Sequence, residues 1–219
     1  MSKELIGRGD FEIAIVRLGV KLDFVVPMVN TAELIYVLSG AGYKLSQNPN
    51  NPEHFVGTKE KENVEFYIDG SRRVFGASSI TIDHTLATIN EIFSLTKKHL
   101  GYEMKDYVSF FEVEINGVYG IQKDVYRAIS KLYQDSKDML KINELLGFKS
   151  AQIALKIGPY NENINSKDWY EITIEPKISA SNVFQIRLIC RNGQLAKVIE
   201  IARKSHSLVH SIIEKVILK

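Results

Sequence analysis

Hydrophobic and polar positions along the chain follow one order twice. Residues 11–26 are rich in Ile, Val, Leu and Phe, with polar residues too widely spaced for an amphipathic helix, which predicts a long strand bulged or broken at Gly19 and ended by Pro27. Val29, Ala32, Leu34, Ile35, Val37 and Leu38 then fall at near-helical spacing, and Gly40 and Gly42 supply a stop, so a helix is expected over 28–38. Residues 47–53 hold two prolines and three asparagines, the composition of an exposed turn-rich loop. Residues 54–59 and 63–69 read as a hairpin whose tip, 59–62, alternates Lys and Glu; its second arm sets Val64, Phe66 and Ile68 against Glu65, Tyr67 and Asp69. A further strand is predicted over 73–82. Asp83 is then placed to cap a helix with Leu86, Ile89, Ile92, Phe93 and Leu100 on one face and Gly101 at its end.

The order starts again near Tyr107. Residues 108–116 alternate Phe111, Val113 and Ile115 against Phe110, Glu112 and Glu114, and Gly117 and Gly120 read as breaks. One helix is expected from Gln122, carrying Val125, Ile129, Leu132 and Met139, to Gly147. Ala151, Ile153, Leu155 and Ile157 alternate as a strand, and 159–168 is a polar loop. Strands over 169–175 and 183–191 place Tyr170, Ile172, Ile174, Phe184, Ile186, Leu188 and Cys190 under helices. Trp169, Glu171, Thr173, Glu175, Gln185, Arg187, Ile189 and Arg191 are placed on the other face. The last helix carries an apolar stripe of Leu195, Val198, Ile199, Ala202, Val209, Ile212, Ile213 and Val216.

The expected fold class is therefore α+β: an internally duplicated β-α-β-β-β-α unit, residues 1–104 and 105–219, sharing one antiparallel sheet with helices on one face and the other face open. This element order, over most of the chain, resembles the saddle of the TATA-box-binding protein family, two copies of such a unit whose concave sheet grips the DNA minor groove. The resemblance implies a nucleic-acid-binding, transcription-associated role. Charge speaks against inheriting it, because a sheet that meets phosphates needs surplus Lys and Arg. The expected open face sets Glu112, Glu114, Glu171 and Glu175 against Lys156, Arg187 and Arg191, and Glu65 and Asp69 against Arg73.

Composition adds limits. Among 219 residues, Lys and Arg number 28 against 26 Asp and Glu, a net charge of +2 that creates no overall field for a polyanion. Cys190 is the only cysteine, which excludes an intrachain disulfide and reads as a buried thiol. No run of about 18 apolar residues appears and the N-terminus has no secretory core, so a cytoplasmic, non-membrane protein is expected.

Candidate chemistry is sparse. His206, His210 and Glu214 recur every four residues on the last helix, but His206 falls within the apolar stripe and His210 at its edge, which reads as a packed histidine beside an exposed one. No Glu sits in a His-Glu-x-x-His arrangement, Ser78 and Ser79 lack a nucleophile elbow, and the pairs Gly7/Gly9 and Gly40/Gly42 form no phosphate loop. No catalytic group, metal ligand or cofactor is assigned. The expected binding residues are Tyr67, Arg73, Phe110, Glu112, Lys156, Trp169, Glu171, Arg187 and Arg191, because aromatics beside arginine are favoured at contact sites. The readings are a homodimer interface, a protein contact or a cleft for a small polar ligand. Alternatives are nucleic acid, met first by Arg72, Arg73, Lys97, Lys98, Arg187 and Arg191, and an enzyme using carboxylates on the same face.

Overall fold

Period-two alternation is the strongest signal in the chain, and it builds one sheet. In the computed structural model, which describes residues 9–23, 31–59, 63–101, 103–160 and 163–219, nine strands pair antiparallel in the order β2-β3-β4-β5-β1-β6-β9-β8-β7. They are β1 (Phe11–Leu22), β2 (Lys44–Asn48), β3 (Asn51–Lys59), β4 (Val64–Asp69), β5 (Val74–Ser79), β6 (Val108–Gly120), β7 (Leu155–Ile157), β8 (Trp169–Pro176) and β9 (Val183–Asn192). The helices are α1 (Thr31–Gly40), α2 (Ile82–Leu100), α3 (Val125–Ser130), α4 (Lys137–Leu146) and α5 (Leu195–Ile212), the last running into a π turn, Ile213–Ile217. The fold is α+β, with α2 packed on β5, β1 and β4, and α5 on β6, β9 and β1.

Buried residues from the covered side form one cluster. Val16, Leu18 and Val20 of β1, Phe66 of β4, Val113 and Ile115 of β6 and Ile186 and Leu188 of β9 meet Ile89, Ile92 and Phe93 of α2 and Val198, Ala202 and Val209 of α5. Burying each large apolar side chain contributes about 1.5–3 kcal/mol relative to exposure. Helix α2 also buries Thr85 and Thr96 in this layer by turning their hydroxyls onto its own carbonyls, Thr96 Oγ1 donating to Ile92 and Phe93 at 3.0 Å each. Gly101, at φ +69, closes it as expected.

Several boundaries differ from the sequence-based expectation, each for a local reason. Residues 47–53 are not a loop: β2 and β3 form a hairpin around Pro49 and Asn50, with Asn48 Oδ1 accepting from the Asn50 N–H at 2.9 Å. Pro52 lies in the register shift between the Gln47–Phe55 and Asn48–Asn51 pairs, where a missing N–H does not cost a ladder bond. Gly19 holds regular register opposite Gly76 and Glu112; the β1–β6 register shifts lie instead between Ile13 and Ile15 and between Lys21 and Leu22. Gly117 does not break β6, because it faces the first of these shifts at a distance only glycine tolerates, where a Cβ would lie 2.3 Å from the Glu12 carbonyl oxygen. Thr81, not Asp83, caps α2, its Oγ1 accepting from the His84 N–H.

The single helix expected from 122 to 147 is two. Ser136 accepts from the Met139 N–H and starts α4 afresh, and α4 buries no residue at all. Ala151 and Ile153 lie outside β7, and Tyr170 and Val216 are exposed rather than packed. The π turn puts Ile217 in the core in place of Val216. The expected strand end at 24–26, the stop at Pro27, the helix start at 28–30 and most of the Lys/Glu hairpin tip (60–62) lie outside the described residues.

Candidate contact surface on the open sheet face

The face away from the helices is ordered in cross-strand rows. One row runs Val56, Tyr67, Gly76, Gly19, Glu112, Arg191 and Trp169 across six strands and onto a seventh. The two glycines leave a trough that Tyr67 fills: a Cβ on Gly76 would meet the Tyr67 hydroxyl oxygen at 2.5 Å, and one on Gly19 would meet it at 3.1 Å. Burial, and after it the Glu112 carboxylate, pushes the Tyr67 hydroxyl pKa up. Tyr67 is therefore a neutral aromatic lying along the sheet.

Arg191 is the most constrained group in the row. Its Nε and Nη2 donate to Glu112 Oε2 at 2.9 and 2.5 Å, and its Nη1 donates to the carbonyls of Ile164 and Ser166 at 2.7 and 3.3 Å. The guanidinium stacks 4.5 Å from the Phe110 ring centre and 5.7 Å from that of Trp169. One side chain thus joins β6, β8, β9 and the 163–168 loop. Such charge-assisted, stacked contacts exceed ordinary exposed ion pairs in strength.

A second row centres on Glu114. It accepts from Arg187 Nε at 2.8 Å and from Asn116 Nδ2 at 3.0 Å, with Arg17 Nη1 at 3.7 Å. Burial works to raise its carboxyl pKa, but the Asn116 and Arg187 hydrogen bonds and the Arg187 and Arg17 charges outweigh it, and the net shift is downward. Glu171, buried, takes Lys156 Nζ at 2.7 Å and Thr173 Oγ1 at 3.3 Å. Ile189, expected to look out, is buried on this face between Glu114 and Glu171.

The structure brings together Tyr67, Phe110, Glu112, Lys156, Trp169, Glu171, Arg187 and Arg191 on one surface. Arg73 lies outside the strands, at φ +54 in the turn after β4, where its Nη1 donates to the Asp23 carbonyl. Arg17 and Asn116, and the glycine trough under Tyr67, escaped the sequence reading. The signal for the trough is a lone glycine inside a strand pattern, which marks close approach as well as a break. Lys97 and Lys98 lie on α2, which packs on the opposite side of the sheet, so the basic candidates for nucleic acid do not share a surface.

The histidine pair has a structural use. Buried Tyr119 donates from its hydroxyl to Glu214 at 3.2 Å and lies 2.8 Å from His210 Nδ1, which is also 3.2 Å from the Gly9 carbonyl. Burial first, then Glu214, pushes the Tyr119 pKa up to about 12. His206 meets Phe11 edge-on at 5.5 Å. Both histidines therefore tie α5 to the start of β1 and the end of β6. No helix among the described residues is long and apolar enough to cross a membrane.

No protein-family model matches the chain, and the search of curated proteins finds no match. Solved structures give 19 matching chains, among them Methanococcus jannaschii TBP, 10% identical over 94% of this chain and 99% of that one, with a TM-score of 0.43. That likeness concerns layout alone.

Proposed function

We propose that the chain is a non-enzymatic binding protein whose contact surface is the open sheet face, and that its partner is a polar protein surface, first of all a second copy of itself. The observation that carries this is the Phe110–Arg191–Trp169 stack locked by Glu112, since arginine and large aromatics are enriched among the residues that dominate protein contacts. A patch that carries both acids and bases suits isologous pairing, in which one patch serves both partners. Carboxylates bound by Arg17, Arg187, Arg191 and Lys156 leave little free cationic field for phosphates.

Trp169 is the only tryptophan and reports directly on the surface. Light scattering and Trp169 emission across a concentration series should show a dimer forming as the indole spectrum shifts, with Arg191→Ala moving the equilibrium toward monomer. A strictly monomeric mass at about millimolar concentration, where even a weak contact of about 4 kcal/mol would be populated, overturns self-association. Retardation of duplex DNA that weakens steeply with salt would overturn the protein-partner reading in favour of nucleic acid.

A further inference from the structure

The open face neutralises its own charge, whereas a groove elsewhere does not. It lies between α3 and the C-terminal turn and has a volume of 610 Å³. Lys123 just before α3, Arg127 within it and Lys131 at its C-cap line the groove, and none of the three has an ion-pair partner among the described residues. Asp124 is the acid in the lining, and its Oδ1 is occupied as the α3 cap, accepting from the Arg127 N–H at 2.9 Å. Val216, Ile217 and Leu218 supply an apolar wall, with Val216 half-exposed.

We infer that this groove binds an extended acidic peptide segment in which carboxylates alternate with apolar side chains. Arg127 and Lys131 stand one helical turn apart, a rise of about 6 Å along the axis. Alternate side chains of an extended chain lie about 6.6–6.8 Å apart on one face, so successive acids match successive cations while the intervening residues turn toward the apolar wall. A single phosphate would need cations that converge, and these are strung out. Single-stranded nucleic acid has phosphates at a comparable spacing but is held by aromatic platforms for its bases, and the groove lining contains no aromatic residue.

The test is fluorescence anisotropy of a labelled peptide of about eight residues alternating Asp and Leu, titrated with the full chain in low salt. Saturable binding is expected. It should weaken about tenfold or more in the double variant Arg127→Glu, Lys131→Glu, since two exposed pairs are reversed. The Arg191→Ala variant should bind as wild type, which separates this groove from the open face. A peptide with Asn in place of Asp should fail to bind. The inference is overturned by an absence of saturable binding, by equal affinity in a double variant whose circular dichroism is unchanged, or by tighter binding of an oligothymidylate than of the peptide.

Discussion

At the scale of single residues, two positions decide the character of the open face. A methyl on Gly76 would sit 2.6 Å from Tyr67 Cζ and 2.7 Å from the Leu18 carbonyl oxygen, and the backbone cannot swing aside as a side-chain tip can. Gly76→Ala should cost about 1–3 kcal/mol, read from the urea midpoint, and Tyr67→Ala in the same chain should recover only part of the loss because the Leu18 carbonyl clash remains. An undiminished midpoint for Gly76→Ala would show that Tyr67 does not lie in the trough. Glu114 makes a prediction in pH. Its folded pKa is depressed, so it binds its proton less readily folded than unfolded, and its stabilisation is present above the ordinary carboxylate range and lost as pH falls through the depressed value. Glu114→Gln should therefore flatten part of the acid limb of a stability–pH profile and leave its slope near neutrality unchanged.

At the scale of elements, α3 and α4 look alike in sequence and differ in use. Ile129 of α3 is fully buried, whereas α4 leaves Leu140, Leu145 and Leu146 exposed and packs no residue into the core. Ile129→Ala should cost about 2–5 kcal/mol in chemical denaturation, while Leu145→Asp should stay within about 0.5 kcal/mol and the α4 amides should exchange fastest among the helices. The contrast explains what the sequence could reveal. Strands were legible wherever one face is buried, as in β6 and β9, because alternation is then imposed by the core. The α3–α4 pair was illegible because both carry apolar residues at helical period, and the six residues that part them, 131–136, hold no glycine or proline to mark the break. Residues 47–53 were illegible because proline and asparagine mark a turn without saying that two residues suffice for it. The candidate surface was readable for Glu112, Trp169 and Arg191, which obey strand alternation. It is less readable for Arg73, which lies in a turn rather than a strand, and for Gly76, whose contribution is an absent Cβ.

At the scale of the whole molecule, the decisive contact is the pairing of β1 with β6, which makes one sheet of the strand groups on either side. Leu18 of β1 is fully buried and lies opposite Ala77 of β5 and Val113 of β6, while its cluster extends to Ile186 of β9 and Val209 of α5. A continuous ladder over a single core predicts one cooperative unfolding transition. Leu18→Ala should then lower the denaturation midpoint by an amount worth about 2–5 kcal/mol, and the lowering should be the same by far-UV circular dichroism and by Trp169 fluorescence, although Trp169 lies three strands away on β8. If the circular dichroism transition split in two while the Trp169 midpoint stayed where it was, β1 and β6 would be a contact between separately stable halves. The open face would then be a surface that can part along its centre, between Gly19 and Glu112.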